Sequence, residues 1–185
     1  MTGAGPFGVL LLTYGSPTSL DDVPRYLAAV RGGREADPEI AAEFTRRYRV
    51  IGGSPLVQIT AAQAAALERR LGGRAVVRSG MRFSAPSIAE ALTSLAGLGI
   101  REVAAVILSP QYSPLIMGGY GCAVAAAIEQ LGSVAPVVRL APAWHLEPAF
   151  LDALGGRIVA ALERFDPTER SSVPVLLTAH SLPRR

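Results

Sequence analysis

A histidine follows the last long apolar stretch of the chain. Residues 173–179 favour a buried strand, and His180 comes directly after them. Because an imidazole exchanges protons near neutral pH and binds borderline metals, a histidine at the end of a strand is a candidate base or metal ligand. A structural histidine is the alternative, since the following Leu182-Pro183 indicates only that the chain turns there. The function of His180 therefore depends on which groups join it.

Five arginines lie between residues 31 and 49, ahead of a Gly52-Gly53-Ser54 turn. Guanidinium groups and a serine hydroxyl are suited to binding carboxylates or phosphates. A solvated helix face is equally consistent with them, because all 18 basic residues of the chain are Arg, which indicates a composition bias. The net charge of +3 is spread along the sequence, which argues against nucleic-acid binding and predicts a local anion site.

Two further segments are candidates for ligand contact. Residues 13–17, Thr-Tyr-Gly-Ser-Pro, follow the first apolar run and lack the glycine patterns of dinucleotide- and phosphate-binding loops. They place the Tyr14 phenol beside a glycine that permits close approach of a ligand, with buried aromatic packing as the alternative for this ring. Residues 109–120 are predicted to form a long apolar loop that either lines a hydrophobic ligand or covers the core.

The composition predicts a folded, cytoplasmic protein. Hydrophobic residues make up 50% of the chain, and its single cysteine, Cys122, excludes an internal disulfide or a multi-cysteine zinc site. The first residues lack a signal-peptide pattern, and no apolar run reaches the roughly 18 residues of a transmembrane segment. Cys122 is predicted to be a small packed residue, and His145 a surface or structural one.

Short apolar runs alternate along the chain with segments of helical periodicity. The apolar runs predict parallel strands over residues 8–14, 75–79, 103–109, 137–140 and 173–179. The periodic segments predict helices over residues 20–30, 38–49, 57–71, 87–98, 121–131 and 148–165. This alternation indicates an α/β, doubly wound parallel sheet with helices on both faces and a ligand site beyond the carboxyl ends of the strands. We predict one domain over residues 1–170 and the opening strand of a second over 171–185.

Several blocks of the sequence, taken in order, resemble the ferrochelatase family. They are Tyr14-Gly15-Ser16-Pro17, the block from Arg47-Tyr48 to Leu56 with Gln58-Ile59-Thr60 after it, Ser109-Pro110-Gln111-Tyr112-Ser113, and Ala179-His180-Ser181-Leu182-Pro183. Ferrochelatases insert ferrous iron into a porphyrin held between two Rossmann-like (chelatase-like) halves. The resemblance implies that this chain covers the first half and the opening strand of the second, and that the C-terminal half is missing.

The resemblance also implies roles for individual residues. A tyrosine at the position of Tyr14 is similar to the branch that uses coproporphyrin III, in which this phenol becomes axial to the product iron. His180 is implied to accept a pyrrole proton and to bind the substrate Fe²⁺ on the opposite face, beside apolar walls such as Ile116 and Met117. Contacts with the porphyrin or its propionates are implied for Tyr14, Arg31, Arg47, Tyr48, Ser54 and Tyr120, although the sequences around Ser54 and Tyr120 depart from the family's usual forms.

The implied partners are coproporphyrin III, ferrous iron and the missing half, which would supply a carboxylate beside His180. No resident cofactor is implied for this chain, because iron is a substrate, and an iron–sulfur cluster of the kind some relatives carry stays open. Three alternatives remain: a protoporphyrin IX ferrochelatase, a chelatase of different metal preference, and a non-catalytic porphyrin-binding fragment. The sequences around Tyr14 and Ser54 argue against the second of these.

Overall fold

The computed structural model describes residues 6–111 and 113–178, with only the backbone described for Leu115. The chain divides into two compact units, Met1–Ala143 and Trp144–Arg185. The domain boundary that the sequence predicts at residue 170 concerns the two halves of an enzyme and stays a prediction.

Four parallel strands form the sheet in the first unit. They are β1 (Phe7–Thr13), β2 (Ala75–Met81), β3 (Glu102–Ile107) and β4 (Val137–Leu140). Their order across the sheet is β2-β1-β3-β4, and every neighbouring pair is parallel. The predicted parallel α/β sheet is confirmed, and these strands begin and end within two residues of their predicted limits.

The described part of the chain contains six α-helices. They are α1 (Val23–Val30), α2 (Pro38–Val50), α3 (Leu56–Leu71), α4 (Ile88–Gly97), α5 (Pro114–Leu131) and α6 (Pro148–Leu162). Local sequence signals explain several of their ends. Pro38 occupies the first turn of α2, and Gly72, at φ 58°, ends α3 in the left-handed conformation.

Side chains of β1 alternate between two hydrophobic layers. Leu10 and Leu12, both 0% exposed, lie in the layer formed with α4 and α5. Val9 and Leu11 lie in the opposite layer, where Ala64 of α3 joins them. Because successive residues of a strand point to opposite faces, this pattern requires helices on both sides of the sheet, as the apolar strands predicted.

The predicted loop over residues 109–120 is wrong for most of its length, because α5 begins at Pro114. Ser113 is the N-cap of this helix, and its Oγ accepts a hydrogen bond from the Ile116 N–H at 3.4 Å. The first turns of α5 carry glycines and apolar residues on all sides, so the sequence shows no amphipathic periodicity there.

The second unit contains α6 and a 3₁₀ turn at Arg170–Ser172. Arg170 closes the end of the helix by donating to the Phe165 and Glu163 carbonyls at 3.1 Å. Residues 173–178 do not form a strand, so the strand predicted over 173–179 is wrong for the described residues. A strand needs a neighbour for its backbone hydrogen bonds, and Val173 to Val175 instead border an apolar cavity of about 240 Å³ beside α6.

Candidate functional site

Tyr14 lies at the carboxyl edge of the sheet, directly after β1. β1 and β3 are neighbours in the sheet, but the chain continues from β1 to β2 on one side and from β3 to β4 on the other. Open α/β sheets bind ligands at the carboxyl ends of such a strand pair. The Tyr14 side chain is 40% exposed and its ring meets the Phe83 ring edge-on, with centroids 4.6 Å apart. The alternative of a buried ring is therefore wrong, and the phenol is accessible at the predicted edge.

Gly15 permits a close approach, as predicted, but another loop of the protein lies against it where a ligand was expected. Its φ is +91°, and a Cβ at this position would overlap the Oγ of Ser84, which follows β2. That Oγ accepts a hydrogen bond from the Ser16 N–H at 3.2 Å. The Tyr26 hydroxyl donates to the Gly15 carbonyl at 3.1 Å, and burial raises the Tyr26 pKa. Packing within the protein thus holds the Tyr14 loop.

A Schellman motif at the end of α2 positions Tyr48 and Ser54. The Gly53 N–H donates to the Tyr48 carbonyl at 2.8 Å and the Gly52 N–H to the Arg49 carbonyl at 3.2 Å. Both glycines have positive φ, 73° and 90°, which other residues rarely adopt. This motif ends the helix between Tyr48 and Ser54, and it therefore fixes the position of Ser54 relative to Tyr48.

Tyr48 and Ser54 line the same cleft, which has a volume of about 690 Å³. Its other wall is the segment after the Tyr14 loop, Pro17 to Leu20. Burial raises the pKa of the Tyr48 phenol, so the group stays a neutral hydrogen-bond donor at physiological pH. The Ser54 Oγ accepts a hydrogen bond from the Leu56 N–H at 3.3 Å, which leaves its own proton for a ligand. The cleft therefore presents two hydroxyl donors to an anion.

The two predicted arginines lie on helix ends, and neither lines this cleft. Arg31 caps the end of α1 and is exposed. Arg47 is 62% exposed and its Nε lies 2.8 Å from a Glu43 carboxylate oxygen. Hydrogen bonds from Arg46 and Arg47 lower the Glu43 pKa to about 2, so this carboxylate competes with any ligand for both guanidinium groups.

Tyr120 lies in the hydrophobic core and is 1% exposed. Burial raises its pKa to about 12, and the nearby Arg82 acts in the opposite direction. The predicted porphyrin contact of Tyr120 stays a prediction, and the ring surface is covered in this structure. Ile116 and Met117 are partly buried and pack against the same core.

His180 and its motif lie outside the described residues, so its predicted role stays a prediction. His145 is half-buried, with a buried Nδ1 that has no hydrogen-bond partner in the described part of the chain. Cys122 is exposed, so its prediction as a packed residue is wrong. Residues 6–111 and 113–178 contain no cluster of three His, Cys, Asp or Glu side chains that could hold a metal.

Other residues of the cleft were not singled out by sequence reasoning. They are Ile51 and Gln58, together with Thr18, Ser19 and Leu20, whereas Arg49, which also lines the cleft, belongs to the five arginines for which an anion site was predicted. Arg49 and Ile51 lie inside the block that carries the family resemblance, so position in that block was an available signal. Residues 18–20 directly follow the block from Tyr14 to Pro17, but they carry no motif of their own.

Comparison with known proteins identifies the family of this chain. The model of the ferrochelatase family matches residues 6–185. The chain belongs to the ferrochelatase family. A ferrochelatase of Deinococcus radiodurans is 38% identical over 189 residues, covering 100% of this chain and 60% of that protein. A coproporphyrin III ferrochelatase of Geobacillus thermodenitrificans is 34% identical over 184 residues, covering 96% of the chain and 58% of the relative.

A ferrochelatase of Herpetosiphon aurantiacus is also 34% identical, over 96% of the chain and 59% of its own length. The chain thus spans about three-fifths of the length of the ferrochelatases that it matches. Among the described residues of this ferrochelatase-family chain, no helix is both long and apolar enough to cross a membrane.

Proposed function

We propose that this chain is the porphyrin-binding first half of a ferrochelatase that inserts ferrous iron into coproporphyrin III. The observation that carries the proposal is the cleft of about 690 Å³ that combines Tyr48 and Ser54 with the segment after the Tyr14 loop. Family membership supports a porphyrin as the ligand of these residues, and the cleft offers hydroxyl donors for its carboxylates.

Coproporphyrin III is proposed over protoporphyrin IX for three reasons. The relative from Geobacillus thermodenitrificans carries coproporphyrin III in its name, whereas the other two relatives carry no named porphyrin. Tyr14 follows β1 as an accessible phenol, which suits a ligand to the product iron. A substrate with four propionates also gives the exposed Arg31 and Arg47 anionic partners.

In the proposed reaction, two pyrrole protons leave the macrocycle while Fe²⁺ enters it. His180 accepts a pyrrole proton or briefly binds iron on one face, and Tyr14 lies on the other face. A carboxylate from the C-terminal half of the enzyme would accompany His180. Iron is a substrate here, no resident cofactor of this chain takes part, and the cytoplasm is the proposed compartment.

The test is anaerobic Fe²⁺ insertion by the 185-residue chain, followed by absorbance, with porphyrin binding measured by fluorescence. We expect tighter binding of coproporphyrin III than of protoporphyrin IX. His180→Ala should retain porphyrin binding and abolish any insertion, whereas His145→Ala, which changes the other histidine of the chain, should alter neither. Absence of binding to both porphyrins would overturn the proposal.

A non-catalytic porphyrin-binding fragment is the second candidate, because the chain spans only 58–60% of its relatives. Binding of coproporphyrin III without iron insertion would support this candidate for the chain by itself. Preference for protoporphyrin IX would overturn the proposed substrate and leave the proposed reaction class in place.

A further inference from the structure

Arg82 is a partly buried residue that directly follows β2. Its side chain forms no hydrogen bond and no ion pair within residues 6–111 and 113–178. Arg78, also half-buried, differs in this respect, because its guanidinium lies 3.3 Å from a Glu68 carboxylate oxygen. Arg82 thus combines partial burial with the lack of any acidic partner in the described structure.

Aromatic rings and a glycine hold the Arg82 guanidinium in place. Its Cζ lies 4.6 Å from the centre of the Phe83 ring and 5.8 Å from the centre of the Tyr120 ring. On the α5 side, a Cβ at Gly119 would overlap the guanidinium carbon and both terminal nitrogens. Packing therefore restricts the position of the guanidinium before any ligand arrives.

Removing a cation from water is costly unless an anion or several acceptors replace the lost hydration. Cation–π contacts with two rings offset part of this cost, and they do not replace the hydrogen bonds that the guanidinium can donate. A fixed guanidinium with free donors is suited to bidentate binding of a carboxylate. The Arg82 nitrogens are not among the buried atoms without a partner, so these donors reach solvent, where an anionic group can accept from them.

The position of Arg82 links it to the Tyr14 side of the site. The Arg82 N–H donates to the Thr13 carbonyl at 3.0 Å, and the Phe83 N–H to the Tyr14 carbonyl at 3.1 Å. The same Phe83 ring contacts the Tyr14 ring on one side and the Arg82 guanidinium on another. The Tyr14 phenol and the Arg82 guanidinium therefore both lie against the Phe83 ring.

Space for an anion is present beside Arg82. A depression of about 440 Å³ is lined by Arg82, Phe83 and Ser84, and by Arg25 from α1. The Glu90 carboxylate also borders it, but this group accepts a hydrogen bond from the Ser87 N–H at 2.6 Å as part of a capping box. Arg25 is paired with Asp22 through its Nε at 2.5 Å, whereas Arg82 has no acidic partner among the described residues.

We propose that Arg82 binds a carboxylate substituent of the porphyrin on the side of Tyr14. This inference rests on the proposed function and adds a porphyrin-contacting residue that the sequence did not indicate. The contact differs from those expected of Arg31 and Arg47, because both of these lie exposed on helix ends. Arg82 is also positioned by its surroundings, whereas an exposed side chain must be ordered by the ligand.

The experiment measures dissociation constants of the 185-residue chain for coproporphyrin III and its tetramethyl ester by fluorescence. Arg82→Gln should weaken coproporphyrin III binding about tenfold, the usual effect of losing a charged hydrogen-bond partner. Its effect on the ester should be small, because the ester carries no carboxylate. Arg101→Gln is the matched control, since Arg101 is exposed at the opposite, amino end of β3 and should leave binding unchanged.

Gly119→Ala provides a second variant that keeps every charge. Its Cβ displaces the Arg82 guanidinium, so it should weaken coproporphyrin III binding in the same direction. Alanine is also a better helix former than glycine at this position in α5, so loss of the helix is not expected. In the double variant the two losses should not add, because they remove the same contact.

The outcomes separate the inference from the proposed function. Coproporphyrin III binding by Arg82→Gln equal to that of the parent chain would overturn the inference alone. An equal loss for porphyrin and ester would also overturn it, because this would indicate a structural role for Arg82. If the parent chain binds neither porphyrin, the proposed function fails and the inference fails with it. Competition by phosphate against coproporphyrin III in the parent chain, but not in Arg82→Gln, would support the inference, because both anions would then use Arg82.

Discussion

Gly15 is constrained by its backbone and by its neighbour, and the two effects can be separated. Its φ is +91°, and Ser84 occupies the space that a Cβ would need. Gly33 has a similar φ of +88°, but a methyl group at this position would meet nothing within 4 Å. Both positions disfavour alanine through the backbone, but only Gly15 adds a steric clash.

We expect Gly15→Ala to destabilise the protein by about 2 kcal/mol or more, and Gly33→Ala by about 1 kcal/mol. Urea unfolding followed by circular dichroism measures both values. The additional loss at position 15 is assigned to the Ser84 contact. Equal losses at the two positions would show that the Tyr14 loop yields to the methyl group, and that Ser84 does not fix it.

Glu43 controls how much of Arg47 is free for a ligand. Its pKa is lowered to about 2 by hydrogen bonds from Arg46 and Arg47, so it is ionised throughout the pH range 5–8. A carboxyl whose pKa is lower in the folded protein contributes stability above its ordinary pKa, and this contribution is lost as the pH falls toward 2. The contribution is small, because all three side chains are substantially exposed.

We expect Glu43→Gln to tighten coproporphyrin III binding by roughly two- to fivefold, since it removes an anion that competes for Arg47. Fluorescence titration at pH 6 and pH 8 should give the same gain, because Glu43 does not titrate between these values. Glu39→Gln is the control for charge alone, as Glu39 lies in the first turn of the same helix. A similar gain in this control would make the effect a general one of net charge.

At the scale of elements, α4 begins with a capping box immediately after the loop that carries Arg82. The Ser87 Oγ accepts from the Glu90 N–H at 3.1 Å, and the Glu90 carboxylate accepts from the Ser87 N–H at 2.6 Å. The second of these bonds lowers the Glu90 pKa. This cap fixes where the helix starts and therefore where the preceding loop ends.

Ser87→Ala should destabilise the protein by about 1 kcal/mol, the typical effect of losing an N-cap. Thermal unfolding measures the change. Thr93→Ala in the same helix is the control, and it should be neutral or slightly stabilising because alanine is the better helix former. A loss below about 0.3 kcal/mol for Ser87→Ala would show that other contacts set the start of α4.

Local signals made most elements predictable, and the errors have specific physical causes. Asp37-Pro38, Ser87 and Gly72 mark helix ends by their own conformational preferences, so the sequence placed those ends closely. The first turns of α5 lack an amphipathic pattern, and the strand predicted over residues 173–179 required a partner strand that local sequence cannot reveal.

The candidate site could be predicted only in part, because some of its contacts are local in sequence and others depend on the sheet topology. Tyr48 and Ser54 lie six residues apart, so a local turn brings them together and the sequence is sufficient. Arg82 is close to Tyr14 only because β1 and β2 are neighbours in the sheet, across more than sixty residues of chain. Contacts of that kind follow from topology, and a linear pattern of residue types does not contain them.

At the scale of the whole molecule, the first unit has its own core and the cleft lies within it. Both hydrophobic layers and all the residues that line the cleft belong to Met1–Ala143. In the second unit, by contrast, α6 has no buried residue. Since burial of apolar side chains dominates folding free energy, the core of the first unit provides the basis for independent folding.

We therefore expect a variant that ends at Ala143 to unfold cooperatively in urea and to bind coproporphyrin III within about threefold of the full 185-residue chain. Gel filtration should give a monomer, because the truncation removes the exposed apolar side chains of α6, including Leu151, Leu154 and Val159. His180→Ala in the longer chain is the matched comparison, as it removes the imidazole but keeps the second unit. Equal porphyrin binding by both variants would place the binding determinants in the first unit, whereas loss of binding in the truncated variant alone would show that residues 144–185 contribute to the site.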